Sequence, residues 1–211
     1  MENETIKEIL EWVYCIVIAV VLALLVRYFV GTPTVVKQVS MKPTLIENQR
    51  LILNRWTRTM NQSPKRGDII TFEAPISSNS DENSSLENPV AEFRNVNGWF
   101  NKFCYYVLEI GKKSYIKRVI GLPGEHVKIE NGNVYINGEK LEEDYLADTV
   151  VTESLDGMYT DVVVPEGCIF VMGDNRPQST DSRILGCIPI DKLEGKVVLR
   201  FWPLNVFGNV K

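Results

Sequence analysis

Residues 126–140 read HVKIENGNVYINGEK. Apolar Val127, Ile129, Val134 and Ile136 alternate with polar neighbours on either side of Asn131-Gly132, and a second pair, Asn137-Gly138, follows the next run. Asn-Gly supplies the positive φ angles of a type I′ turn, whose twist suits paired antiparallel strands. The spacing predicts consecutive hairpins across roughly residues 125–145.

The same texture extends outward. Residues 34–39, 50–56, 68–72, 115–120, 168–172 and 196–202 are rich in β-branched and aromatic side chains, and Gly, Pro, Asn or Asp separates most of them. That is the signature of a β domain. One stretch breaks the rhythm. Residues 76–90, ISSNSDENSSLENPV, are polar and read as a loop. Val96, Trp99, Phe100, Phe103, Cys104, Val107 and Leu108 then recur at helical spacing, with Gly111, Lys112 and Lys113 behind them. This predicts a short amphipathic helix near 97–110. Two readings stay open for it: packing on the β core, or lying in a membrane surface.

Ahead of the β pattern, residues 12–26 (WVYCIVIAVVLALLV) carry no charge. As a helix, 12–30 spans about 28 Å, close to the ~30 Å hydrocarbon core. Arg27 sits near one end, where it can snorkel, and Trp12, Tyr14 and Tyr28 lie where aromatic belts form. A cleaved signal would need a basic leader and a small-residue cleavage site. Here Glu2, Glu4, Glu8 and Glu11 outnumber Lys7, and no such site follows Val30. The reading is one N-terminal transmembrane anchor over residues 1–31, then a β-rich domain over 32–211 in which 76–114 is an insertion or a loop plus helix. Taken naively, the positive-inside rule would put Lys37, Lys42 and Arg50 in the cytoplasm, but long domains translocate largely regardless of charge.

Composition narrows the function. Of 211 residues, 45% are hydrophobic and 24% charged, near globular averages. A net charge of −4 argues against nucleic acid as a partner. One histidine and four cysteines without a CxxC pair leave almost no material for zinc or His-rich metal sites. Cys168 and Cys187 bracket a polar segment, but spacing alone cannot establish a bridge between them.

Three segments carry chemistry. In residues 38–45, QVSMKPTL, Ser40 follows a strand-like run and Pro43 enforces a turn. A serine on such a corner can present a hydroxyl nucleophile and a backbone N–H for an oxyanion, although serine is also an ordinary turn residue. In residues 115–125, YIKRVIGLPGE, alternation puts Tyr115, Lys117 and Val119 on one face and Ile116, Arg118 and Ile120 on the other. A lysine desolvated there would fall from about 10.4 towards ~8 and serve as a base. Read alone, it is as well a solvent-facing edge lysine, since lysine is rarely buried. Residues 173–183, GDNRPQSTDSR, form a polar loop behind the 168–172 run, suited to Asp/Arg pairing around a site.

Taken in order behind one hydrophobic span, SMKPTL, YIKRVIGLPGE and GDNRPQSTDSR resemble the type I signal peptidases of bacteria, as do RGDII at 66–70 and GKVVLRFWPLNVFG at 195–208. The likeness covers most of 34–208 apart from 76–114 and much of 140–165. It implies a mainly β, antiparallel, barrel-like catalytic domain outside the cytoplasmic membrane, with the N-terminus inside. It also implies a Ser/Lys dyad that removes signal peptides after small residues with no metal or organic cofactor. Residue by residue, Ser40 matches the nucleophile and Lys117 the general base. Ser179 matches a serine that orients the lysine, and Asp181, Arg183 and Arg118 match supporting charges. Met41, Leu45, Tyr115 and Ile116 match positions near the substrate cleft. Asp174, Asn175 and Arg176 match the opening turn of the third motif with no role attached. Ser40 would supply an oxyanion donor, and Gln38 stands where some relatives carry a second donor serine. The implied partners are preprotein signal peptides, membrane lipid and the secretion translocon.

Other readings of the same residues are a dedicated or non-catalytic relative in pilus-like assembly, a self-cleaving regulator, and a Ser/His protease. The first, if non-catalytic, would be expected to have lost Ser40 or Lys117. The second would carry a DNA-binding module and no anchor. The third would have to use His126.

Overall fold

The computed structural model describes residues 2–56, 62–76, 89–147, 150–153 and 159–210. It opens with α1, a helix of 28 residues from Glu2 to Phe29. One window of it, Thr5–Phe29, is long and apolar enough to cross a membrane, and none of that window is buried against the rest of the protein. The helix is longer than the uncharged run because Glu and Lys at its start are good helix formers.

β1 (Gly31–Val35) follows with no intervening linker. β2 (Arg50–Asn54), β3 (Ile69–Glu73), β4 (Ser114–Gly121), β5 (His126–Glu130), β6 (Asn133–Ile136) and β7 (Glu139–Lys140) come next. β8 (Asp161–Val163), β9 (Cys168–Met172), β10 (Ile188–Pro189) and β11 (Leu193–Trp202) complete the sheets. Their order is β1-β2-β11-β3-β4-β9-β10 in a seven-stranded sheet and β7-β6-β5-β8 in a four-stranded one. Every strand pairing is antiparallel. The sheets form a barrel-like body that does not close.

Both Asn-Gly pairs make the tight turns expected of them. Asn131 and Gly132 have φ of 51° and 79°, and Asn137 and Gly138 have 52° and 85°. β5 and β6 pair in register from Val127↔Ile136 to Glu130↔Asn133. β9 is buried along its whole length, and alternation sends its residues to two cores. Phe170 and Met172 pack with Ile120, Val127, Ile129, Val134 and Ile136. Ile169 and Val171 pack with Ile70, Phe72, Val119 and Leu185. A third cluster joins Val36, Met41, Leu45, Leu51, Leu53 and Val197 near the first strands.

Two expectations shift. The first strand begins at Gly31 rather than 34, because Thr32 and Thr34 pair with Leu53 and Leu51 of β2. The amphipathic helix, α2, spans Trp99–Tyr106 only and buries none of its residues. Its apolar arc points away from the core: Trp99 is 81% exposed and Phe100 61%. Cys168 and Cys187 are both buried as free thiols. Of the polar stretch read as a loop, residues 77–88 lie outside the described residues.

Candidate active site

Beyond β1 the backbone is held by Val36 N–H donating to Gln49 O at 2.9 Å and Asn48 N–H donating to Val36 O at 2.8 Å. It then tightens into a single 3-10 turn, Val39–Met41, in which Ser40 and Met41 are buried. Met41 and Leu45 lie one helical turn apart, with Leu45 N–H donating to Met41 O at 2.8 Å. Both are lodged in the third core cluster. Burial of each contributes about 2–3 kcal/mol, so the turn is held from beneath by its own apolar residues. That leaves Ser40 directed at β4.

Lys117, on β4, donates from Nζ to Ser40 Oγ at 2.7 Å. The lysine is 1% exposed, and its Nζ lies 5.3 Å from the centre of the Tyr115 ring. Burial drives its pKa down from 10.5 to about 8; Asp181 and Asp174 oppose that shift, and Arg183 adds to it. An amine of that acidity, bonded to a hydroxyl, can take up the hydroxyl proton near neutral pH.

The loop after β9 braces the Ser40 turn. Asn175 N–H donates to Ser40 O at 3.0 Å, and Asn175 Nδ2 donates to Val39 O at 3.2 Å. Gly173 is where the two segments cross. A Cβ there would lie 2.2 Å from Ser179 Oγ and 2.4 Å from Ser40 O, distances no side chain tolerates. Ser179 Oγ is itself buried and makes no hydrogen bond among the described residues.

Buried ion pairs fix this loop. Arg183 pairs with Asp181 through Nε–Oδ1 and Nη2–Oδ2, each at 2.9 Å. Asp181 also accepts from Gly173 N–H at 3.0 Å and caps the short helix α3 (Ser182–Leu185) by accepting from Arg183 N–H. Arg118, on the face of β4 opposite Lys117, forms two bonds to Asp174 at 2.9 and 2.7 Å. Its guanidinium stacks 3.9 Å from the Tyr145 ring centre. Fork-to-fork pairs of this kind combine strength with orientation. The Arg66-Gly67-Asp68 segment joins in: Gly67 O accepts from Arg118 at 3.0 Å, and Arg66 Nη2 donates to Glu125 at 2.5 Å.

The structure thus brings Ser40, Lys117, Ser179, Asp181, Arg183 and Arg118 together. Gln38 and Tyr115 line the cavity of about 320 Å³ that opens on Ser40 and Lys117. They also line a neighbouring cleft of about 690 Å³ between β1 and the start of β4, together with Ile116. Met41 and Leu45 lie in the core beneath the turn. His126 lies on the four-stranded sheet, with Nε2 2.6 Å from Asp161 Oδ1, and takes no part in the Ser40 cluster. Among the described residues, no group of His, Cys, Asp or Glu is placed to hold a metal ion.

Sequence reasoning missed a second ring of residues. Glu143 pairs with the fully buried Arg176 through both carboxylate oxygens. Thr152 Oγ1 accepts from the same guanidinium at 2.5 Å, and Arg176 Nε donates to Gly173 O at 3.2 Å. Glu143 and Tyr145 come from the plain stretch LEEDYL, which carries no motif. The glycine opening GDNR was a visible signal, since a glycine between a strand and a polar turn often marks close backbone approach.

Comparison with known proteins gives this arrangement its family. The family described as "Signal peptidase, peptidase S26" matches residues 9–202. Signal peptidase I of Bacillus licheniformis is 37% identical over 97% of this chain and 95% of its own length. Signal peptidase I T of Bacillus subtilis is 37% identical over 96% of this chain and 90% of its own. A crystal structure of a signal peptidase I from Enterococcus faecalis is 30% identical, with a TM-score of 0.40 over 64% of this chain and 97% of that one. The chain belongs to the signal peptidase family, peptidase S26, and is a serine-type endopeptidase. Its exposed apolar N-terminal helix fits a membrane-anchored protein.

Proposed function

We propose that this protein removes N-terminal signal peptides from secreted preproteins, cutting after small residues with Ser40 as nucleophile and Lys117 as general base. The observation that carries the proposal is the 2.7 Å bond from Lys117 Nζ to Ser40 Oγ with the lysine buried.

Neutral Lys117 takes the Ser40 proton as Oγ attacks the scissile carbonyl. The Ser40 backbone N–H, with Gln38 beside it, meets the developing oxyanion. Protonated Lys117 then gives its proton to the leaving amine. Water attacks the acyl-enzyme with the same amine as base, and Ser40 is restored. The Ser179 hydroxyl, buried and without a hydrogen-bond partner among the described residues, orients the ammonium while it holds the proton. Asp181, Arg183 and Arg118 hold the loop and strand in place. The preprotein lies in the cleft walled by Tyr115 and Ile116, and its small side chains next to the cut are selected there by the exclusion of larger ones.

The helix α1 holds the enzyme in the cell membrane as a single span, with its N-terminus cytoplasmic and the domain of residues 32–211 outside. Substrates arrive there still threaded through the bilayer by the secretion translocon. The test is cleavage of a purified preprotein in detergent by the wild type, Ser40→Ala and Lys117→Met, with the cut located by mass spectrometry. A cut after a small residue, lost in both variants, is expected. Cleavage that survives Lys117→Met sinks the mechanism.

A further inference from the structure

We propose that α2 is a second membrane contact, its Trp99–Phe100–Phe103 arc lying among the lipid headgroups of the leaflet from which α1 emerges. The inference rests on the reading of α1 as a membrane span.

Two links hold this part of the domain at the end of α1. Arg27, in the last turn of α1, donates to Glu109 Oε2 at 2.5 Å, and Arg55 bonds the other oxygen of the same carboxylate. Burial alone would raise the Glu109 pKa; the two guanidinium groups outweigh it and hold the carboxyl below its usual range, so the link is ionic. Only Val107 and Leu108 separate Glu109 from the end of α2 at Tyr106, so that end lies within about 10 Å of the Glu109 backbone, whose side chain is tied to the last turn of α1. The second link is Arg55 N–H donating to Val30 O at 3.1 Å. It sets the half-exposed Trp56 at the same level.

The orientation of α2 is settled by its other side. Tyr105 OH donates to Glu73 at 3.0 Å, and Lys112 Nζ lies 5.8 Å from the Tyr105 ring centre. Tyr105 therefore faces the domain. Trp99, Phe100 and Phe103 occupy the opposite arc at exposures of 81, 61 and 41%. Large aromatics around the exit of a span are what membrane interfaces favour, and an amphipathic helix sinks its apolar face about 5–10 Å into the headgroup boundary. Lys102, on the same helix, is exposed, which suits anionic headgroups. The occupant is thus a phospholipid surface, continuous with the lipid around α1.

The test uses the full chain in vesicles of phosphatidylcholine and phosphatidylglycerol, some with bromines on the upper acyl chains. The emission lost in Trp99→Phe isolates Trp99, and that lost in Trp12→Phe isolates the anchor. Bromolipid should quench most of the Trp99 emission, and aqueous acrylamide should quench little of it. If acrylamide quenches Trp99 and bromolipid does not, while Trp12 stays bromolipid-quenched, the anchor stands and the second contact is overturned. Trp99 shielded from both quenchers means a protein covers the arc, which also overturns it. If Trp12 escapes bromolipid too, the membrane reading has failed and the second contact falls with it.

Discussion

Arg118 and Asp174 meet through two hydrogen bonds, at 2.9 and 2.7 Å, on the side of β4 away from Lys117. One strand therefore presents Lys117 to one face and its structural clamp to the other. Both partners are almost wholly buried, so removing either leaves a charge without compensation.

Asp174→Ala is expected to cost about 3–5 kcal/mol, the usual penalty for half of a buried ion pair. Thermal unfolding of the full chain in detergent measures it. A loss below about 1 kcal/mol would mean that solvent reaches the pair.

On the proposed mechanism the protonation of Lys117 sets the acid limb of activity. With its pKa lowered to about 8 by burial, kcat/KM should fall about tenfold for each pH unit below that value. A profile flat from pH 6 to 8 would remove the lysine from the base role.

The same shift makes stability depend on pH. The folded state holds fewer protons than the unfolded chain between about 8 and 10.5, so the Lys117 contribution improves as pH rises through that window and its full penalty applies below it. Lys117→Met should therefore abolish activity yet stabilise the protein at pH 7 by about 3 kcal/mol, a gain that vanishes above pH 10.5. Unfolding midpoints of the two proteins across that pH range decide the matter.

Gly173→Ala should inactivate the enzyme. Its methyl would collide with Ser179 Oγ and the Ser40 carbonyl, displacing the Ser40 turn by about 1 Å. A displacement of that order at reacting atoms costs ~10²-fold in rate. Preprotein cleavage by the purified variant, with circular dichroism to establish folding, tests this.

Glu143→Ala should act at a distance. It strands the guanidinium of Arg176, which anchors Gly173 O. The expected result is a loss of about 3–5 kcal/mol of stability and a lower kcat with KM little changed. Glu143→Ala activity equal to wild type would detach this loop from the site.

Much of this was legible in residue order. The Asn-Gly pairs fixed the β5–β6–β7 hairpins because their turn chemistry is local. The Ser40 corner, the alternation along β4 and the polar loop after β9 were readable for the same reason. β8 and β10 were not: three and two residues long, they are strands only because β5 and β9 supply edges to pair with. Glu143 and Tyr145 were invisible too, since nothing local marks a residue whose partner stands some thirty residues away on another segment. The bounds of α2 were drawn too wide, because the apolar spacing continues through Val107 and Leu108 while the backbone leaves the helix at Tyr106 to place Glu109.

α1 runs into β1 at Gly31 with no slack between them, and the chain from there to Ser40 can reach at most about 30 Å. The anchor and the first strand therefore act as a ruler. On the proposed membrane topology they set the height above the bilayer at which a bond is cut, so that a substrate is chosen partly by the distance between its hydrophobic core and its cleavage point. Lengthening the Val30–Gly31 junction should shift which bond is offered, without touching a single residue of the site.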